Sequence, residues 1–369
     1  MLKVFIAMSG GVDSSVAALL LKNKGYDTVG VYMKGWSLTG CAEEDATDAR
    51  RVAGVLSIPF YVFDFENEFK KAVVDYMVSE YAAGRTPNPD VMCNREIKFG
   101  LFLKKSLALG ANYIATGHYT RLKRNYPKFR RSSTNRIFSV LVAKDKNKDQ
   151  SYFLWTLKQE QLKHCLFPIG DYIKPQVRAL AKKYNLPTAG KPDSQGVCFV
   201  GEIDVAEFLK SKLGKNPGLI LTLSGKKIGI HDGLSFYTIG QRRGIGSTGG
   251  GTPYYVVSKD ERKNALVVAE AKNPALFSKN LLVKDINWVS GKQPKLPLQC
   301  LARIRYRQPL QQATISTTNK RSSVNSIMNN SQSVLLRVIF NEAQRAVTPG
   351  QSAVFYTKSG IMLGGGIIE

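Results

Sequence analysis

Two cysteines and one glycine–hydroxyl loop are the parts of this chain whose residue types and spacing suit chemistry. Cys93 stands in "GRTPNPDVMCNREIKFG", residues 84–100, where prolines stiffen a loop that delivers Asp90 and the thiol to the start of a helix. A helix N-terminus and nearby cations lower a thiol's pKa and favour the thiolate. Asp90, three residues earlier, is placed to manage a proton for the thiol or a substrate. Cys198 stands in "DSQGVCFVG", a glycine-bounded turn ahead of another helix. The two thiols are 105 positions apart, so the sequence does not pair them. Together they suit sulfur transfer or disulfide exchange, one thiol carrying a terminal sulfur and the other helping to discharge it. A lone buried cysteine is more often structural, and Cys41 is read that way.

The third constellation is "SGGVDSS", residues 9–15, which follows an apolar strand and opens a helix. Gly10 and Gly11 permit a tight turn that bares backbone N–H groups. With the hydroxyls of Ser9, Ser14 and Ser15 and the helix N-terminus they form an anion cradle. The loop has no P-loop lysine, and Asp13 has two readings, one through magnesium and one as a shaper of the turn.

These sites need a scaffold, and the pattern supplies one. "KVFIAM", "TVGVYM", "PFYVFDF" and "ANYIATGHY" read as buried strands alternating with helices through Leu21 and over 43–56, the signature of a doubly wound parallel sheet. Ligands of such sheets bind beyond the carboxyl ends of the strands, where "SGG", Met33 and "TGH" fall. Residues 121–150 are basic and read as a hairpin or loop over the sheet; helical spacing returns at 158–165 and 174–185. From about residue 206 glycine and proline become frequent, and the last ninety residues give short alternating strands that resemble a small β-barrel. The Ser/Thr/Asn-rich stretch 313–333 is expected to be a long mobile loop. The expected division is 1–205, 206–277 and 278–369.

Composition narrows the partners. Against 28 acidic residues stand 53 basic ones, a net charge of +25, which predicts a polyanion, nucleic acid rather than a membrane. No apolar run reaches spanning length and no signal peptide is read before the first strand. The five cysteines are odd in number and include no C-x-x-C, so reduced thiols in a cytoplasm-like compartment are expected. The three histidines, His118, His164 and His231, have no metal-ligand spacing, and no protein metal site is expected.

"SGGVDSS" matches the pyrophosphate-binding loop of the ATP pyrophosphatase family, whose members cleave ATP between the α and β phosphates. "NPDVMCNREIKF", "TGHY", "KDQSYFL", "DSQGVCFVG", "IGQRRGIG" and "RIRYRQ" follow it in order, and with them the whole chain resembles the tRNA-specific 2-thiouridylases of the MnmA family. The resemblance implies an α/β ATP pyrophosphatase domain, a small central domain and a C-terminal β-barrel. It implies that ATP, with magnesium, adenylates the 2-oxygen of a tRNA wobble uridine, which sulfur then replaces. Ala7, Met8, Ser9, Gly10, Gly11, Val12, Asp13 and Ser14 would line the phosphates, with Met33 and Gly117 on the nucleotide. Asn88, Pro89 and Asp90 would approach the target base, Asp90 as acid or base. Cys198 would receive a persulfide from a sulfur-relay or cysteine desulfurase protein, with Cys93 as partner nucleophile and a Cys93–Cys198 disulfide after turnover. His118, Lys148, Asp149, Gln150, Arg305, Tyr306 and Gln351 match tRNA-contacting positions. A cytoplasmic monomer is expected. Two rival readings are an amidotransferase-type ATP pyrophosphatase, disfavoured by the missing glutaminase domain and the paired cysteines, and a non-catalytic, nucleotide-gated RNA-binding protein.

Overall fold

The computed structural model describes residues 1–36, 41–125, 137–193, 205–245, 253–325 and 332–369. Its first unit is built on β1 (Lys3–Ala7), which uses the two-residue alternation of a strand on both faces. Val4, Ile6 and Met8 enter one apolar cluster, while Phe5 and Ala7 enter another. The chain continues through α1 (Val12–Asn23), β2 (Asp27–Lys34), α2 (Cys41–Val55) and β3 (Phe60–Asp64). Two long helical segments, 66–82 and 89–108, then precede β4 (Tyr113–Ala115). An antiparallel hairpin of β5 (Arg121–Asn125) and β6 (Ile137–Leu141) follows, and β7 (Cys165–Leu166) closes one edge of the main sheet.

The main sheet has the order β3-β2-β1-β4-β7, with every pair parallel. Such a sheet must be covered on both faces. α1 and the helix Lys174–Lys183 pack with Val4, Ile6 and Met8 on one side, through Val12, Val16, Leu19, Val177 and Ala181. The 66–108 helices cover the other through Phe69, Met77, Ile97 and Phe102. The strand order reverses between β1 and β4, so the loops leaving their carboxyl ends diverge around a crevice. The doubly wound expectation describes this unit.

The second unit is a four-stranded sheet, β8 (Gly218–Thr222), β9 (Lys227–His231), β10 (Tyr254–Asp260) and β11 (Ala265–Glu270), over a small core of Ile220, Val256, Leu266 and Val268. The third is a closed barrel of β12 (Phe277–Trp288), β13 (Leu298–Arg303), β14 (Gln311–Asn325), β15 (Gln332–Arg345), β16 (Ser352–Tyr356) and β17 (Met362–Ile368). Here the expected loop at 313–333 is corrected. Its described residues lie in two antiparallel strands, with Ala313 opposite Phe340, Ile315 opposite Val338 and Asn325 opposite Gln332. Its composition is polar, but Ala313 and Ile315 alternate into the barrel core while Thr314 and Ser316 do not. Threonine is also a good strand former.

The barrel is riveted to the first unit by the segment 149–155. Trp155 donates its indole N–H to Ser352 Oγ (3.0 Å), and the Tyr152 hydroxyl donates to the Ser352 carbonyl (3.0 Å). The Asp149 carboxylate, 3% exposed, accepts from the Ala143 backbone N–H (2.9 Å), from Ser151 Oγ (3.0 Å) and from the Arg303 guanidinium. Arg303 also donates to Tyr356 Oη (2.8 Å). Breaking one side of a buried ion pair strands the other charge. Arg303→Met should therefore lower the unfolding free energy by about 3–5 kcal/mol in a denaturant melt. Adding Asp149→Asn, which keeps an acceptor but removes the stranded charge, should recover part of that loss.

Candidate active site

The loop between β1 and α1 adopts the cradle shape its composition suggests. Gly10 has φ +71°, and a side chain there would run into the Asp45 carbonyl at 2.4 Å, so only glycine fits the turn. Gly11 caps α1 without any side-chain hydrogen bond to the first turn, which leaves those N–H groups for a ligand. Ser9 and Ser14 face each other, with their hydroxyls 3.3 Å apart and the Ser9 N–H 3.2 Å from Ser14 Oγ. Ser15 departs from the expectation. It is fully buried, donates to the Gly11 carbonyl (2.8 Å) and accepts from Thr188 Oγ1 (2.9 Å), so its hydroxyl is engaged on both sides inside the fold, whereas Ser14, which also donates to the Gly11 carbonyl (3.1 Å), still faces Ser9.

Gly117, just past β4, lies directly on this loop. A Cβ at 117 would stand 2.7 Å from the Ser14 backbone nitrogen and 2.9 Å from the Asp13 carbonyl carbon. The "SGG" and "TGH" turns are thus brought together across the sheet's switch point. Met33 is buried, on the opposite face of the sheet from Met8 and in the core with Phe63 and Phe65.

Asp13 has an unexpected set of partners. Lys174 Nζ, from the first residue of the helix Lys174–Lys183, donates to both Asp13 oxygens at 2.8 Å. The Tyr119 hydroxyl donates to Asp13 Oδ1 at 2.8 Å. Lys174 also pairs with Asp193 (2.8 Å), which is held in addition by Lys148 (2.5 Å) and Arg178 (2.7 Å). Burial works against the Asp193 carboxylate, but hydrogen bonds and charge from Lys148 and Lys174 outweigh it and hold its pKa well below the usual range. Lys174, Tyr119 and Asp193 are missing from the sequence-based list. Tyr119 and Asp193 do stand in the quoted motifs "TGHY" and "DSQGVCFVG", whereas the local signal for Lys174 is a lysine ahead of Pro175 at a helix start, where a cation opposes the helix dipole. With its oxygens engaged by Lys174 and Tyr119, Asp13 as placed does not fit a protein-held magnesium ion.

The expected target-base loop is built on the 89–108 helix. Asn88 caps it, its Oδ1 accepting from the Val91 N–H (3.3 Å), and Pro89 takes the first helical position, where a missing N–H costs nothing. Asp90 and Cys93 lie one turn apart, and Asn94 Nδ2 donates to the Asp90 carbonyl (3.0 Å). Cys93 is 1% exposed and opens a π-helical stretch, Cys93–Phe102, a widening often found at functional sites. Gln351 comes from the barrel to brace this loop, donating to the carbonyls of Thr86 (3.0 Å) and Pro87 (2.9 Å). Cys198 lies outside the described residues.

The expected tRNA-contact residues divide. Asp149 is internal, as described above, and its side chain has no face for RNA. His118 is likewise buried, bonded to Thr116 Oγ1 (2.8 Å) and boxed by Phe99 and Phe167. Both Asp149 oxygens and the His118 Nδ1 are bonded inside the fold, which leaves His118 Nε2 as the only ring nitrogen there without a hydrogen bond among the described residues. Gln150 Oε1 accepts from the Tyr119 N–H (3.0 Å) and so supports the Asp13 partner. Lys148 is partly exposed and paired with Asp193. Arg305 donates to the Ala346 carbonyl (2.7 Å), and Tyr306 packs on Phe153 with the exposed Arg307 over its ring.

Burial, and secondarily Lys98, hold the His118 imidazole well below its usual pKa. The folded state therefore keeps it neutral while the unfolded chain protonates near pH 6.5. That contribution is complete above about pH 6.5 and declines as pH falls below it, by about 1.4 kcal/mol per pH unit. Urea midpoints between pH 6.5 and 5 should fall more steeply for the wild type than for His118→Gln.

Family models described as a tRNA methyl transferase HUP domain, a tRNA methyl transferase PRC-barrel domain and an aminomethyltransferase beta-barrel domain match residues 2–202, 206–270 and 278–368. The tRNA-specific 2-thiouridylase MnmA 2 of Geobacillus kaustophilus is 46% identical over 373 residues, covering 100% of this chain and 94% of its own length. The MnmA of Geobacillus thermodenitrificans shows the same identity and coverage. That of Alkaliphilus oremlandii is 45% identical over 375 residues, covering 100% of this chain and 97% of its own. The model descriptions speak of methyl transfer, whereas these end-to-end relatives are named for thiolation.

Proposed function

The chain belongs to the MnmA family of tRNA-specific 2-thiouridylases, and from that premise we propose that it is a tRNA-uridine 2-sulfurtransferase using ATP. The likeness to thiouridylases over the whole chain carries this reading. The geometry supports it with an uncapped α1 N-terminus against Gly117 at the sheet's switch point, and a braced loop that presents Asn88, Pro89, Asp90 and Cys93 from one helix.

In the first half-reaction the uracil 2-oxygen attacks the α phosphate of ATP, and the bond to the bridging oxygen breaks. Pyrophosphate leaves with the electron pair. The backbone N–H groups of residues 9–14 and the Ser9 and Ser14 hydroxyls hold it. A carbonyl oxygen, a poor leaving group, has become part of AMP, a good one. In the second half the terminal sulfur of a Cys198 persulfide attacks C2 and AMP departs. Cys93 then attacks Cys198 Sγ, releasing the thiolated base and leaving a Cys93–Cys198 disulfide, which an external thiol reductant reopens. Asp90, a turn from Cys93, takes or returns the proton. No step is derived through magnesium. The persulfide comes from a sulfur-relay or cysteine desulfurase protein, and the chain, divided at 1–205, 206–277 and 278–369 into catalytic domain, small central domain and barrel, acts as a cytoplasmic monomer.

The target base must leave the anticodon stack, which costs a few kcal/mol. The excess of basic residues and the Arg305-Tyr306-Arg307 run offset this through phosphate contact and stacking. Incubation with unmodified tRNA, ATP and a labelled persulfide donor should give 2-thiouridine together with AMP and pyrophosphate, both dependent on tRNA. Pyrophosphate without sulfur incorporation, or RNA binding without pyrophosphate, would defeat the proposal.

A further inference from the structure

The phosphate loop has no cation of its own, yet one is parked beside it. We propose that Lys174 is a phosphate-binding residue of this site, which exchanges its two carboxylate partners for the β and γ phosphates of ATP and stays on the departing pyrophosphate. This rests on the nucleotide reading above and adds to it a residue from an element 161 positions downstream of Asp13.

Three observations carry it. First, Lys174 is in an expensive place: 8% exposed, at the first position of its helix, in a first turn with no acidic residue. Buried lysines are rare unless paired, and a cation at a helix N-terminus opposes the dipole. A purely structural role would be filled as well by an apolar residue. Second, Nζ is 2.8 Å from both oxygens of Asp13, the second residue of the very helix whose N-terminus seats the anion. The lysine stem is flexible, and its ammonium, 5.9 Å from the centre of the Tyr119 ring, can turn from the carboxylate to the anion. Third, departure of Lys174 leaves neither carboxylate without a partner, although Asp13 Oδ2 loses its lysine. Asp193 keeps Lys148 and Arg178, and Asp13 keeps the Tyr119 hydroxyl. Three carboxylates, Asp13, Asp193 and Asp145, the last accepting from the Lys174 backbone N–H (2.9 Å), face three cations, Lys174, Lys148 and Arg178, so the cluster is charge-balanced before any nucleotide arrives.

In the bond-breaking step the Pα–O bond gives its electron pair to the bridging oxygen, and pyrophosphate gains negative charge. Lys174 stabilises that charge without donating a proton or forming a covalent bond.

The test is calorimetric titration of the full chain with ATP, pyrophosphate and AMP. Lys174→Gln should weaken ATP and pyrophosphate about 30-fold, the scale of one charge-assisted contact, and AMP less than about twofold. Lys174→Arg should recover part of the pyrophosphate affinity. Equal weakening of ATP and AMP, or no weakening, would overturn the proposal. If Lys174→Gln does not fold, Asp193→Asn decides, because removing a competing carboxylate should tighten pyrophosphate binding about threefold. Unchanged or weaker binding there would count against it. Failure of the wild type to bind ATP at all would sink the nucleotide reading instead, a different outcome from failure of the lysine alone.

Discussion

Cys93→Ser should stop thiolation, by at least about 10³-fold, while leaving tRNA-dependent formation of AMP and pyrophosphate nearly intact. The split follows from where the two chemistries sit. The anion seat proposed at residues 9–14, with Gly117 against it, touches Cys93 through none of the contacts described. Cys93 sits on the 89–108 helix, one turn after Asp90 and on the loop braced by Gln351. Serine is nearly isosteric, so the substitution at a site 1% exposed leaves the helix packed and removes mainly the soft nucleophile. Cys165 and Cys300 serve as controls. Burial pushes the Cys300 thiol up to about 12 and the Cys165 thiol higher still, and Cys165 donates to the Gln161 carbonyl (3.1 Å). Neither lies on the 89–108 helix beside Asp90, Cys165 being on β7 and Cys300 on β13, and their serine variants should thiolate like the wild type. Full thiolation by Cys93→Ser would reduce Cys93 to a core residue.

The parts of this site that were legible in the sequence are those written into neighbouring residues. A run of apolar residues entering "SGGVDSS" specifies strand, turn and helix locally, because the glycines and the missing side-chain cap are properties of adjacent positions. Asn88-Pro89 likewise announces its own helix start. The Lys174–Asp13 contact could not be read so, since it joins residues brought together only by the packing of α1 against a late helix. Asp149 and His118 show the converse. Their motif positions suggest RNA contact, but burial is set by Arg303, Phe99 and Phe167 from distant segments. The paired barrel strands 311–325 and 332–345 were hidden by polar composition, although Ala313 and Ile315 already carried the strand period. Composition reports the average of a segment, whereas packing uses its alternation.

Gly117→Ala should cost at least about 10²-fold in the ATP-cleaving half-reaction with a far smaller effect on the melting of the barrel. The added methyl would meet the Ser14 nitrogen at 2.7 Å, the Asp13 carbonyl carbon at 2.9 Å and the Ser14 Cα at 3.0 Å. All three are backbone atoms of the first turn of α1, so no flexible side chain can swing away. Either the β4 loop or the phosphate loop must shift by several tenths of an ångström. The loop has little room, because Gly10 is already pressed against the Asp45 carbonyl and Val12 and Ser15 are buried beneath. Oriented donors lose catalytic value steeply with such displacement, since a misplacement of 1 Å can cost about 10²-fold. The Asp13–Tyr119 hydrogen bond spans the same junction, so the shift should also disturb the carboxylate that holds Lys174. Measured as tRNA-dependent pyrophosphate release, the defect should appear in both the rate and the affinity for ATP. AMP binding should suffer less, because the clash falls on the part of the loop that seats the leaving phosphates. A Gly117→Ala enzyme with wild-type pyrophosphate release would mean that the junction of the two turns does not form the nucleotide seat.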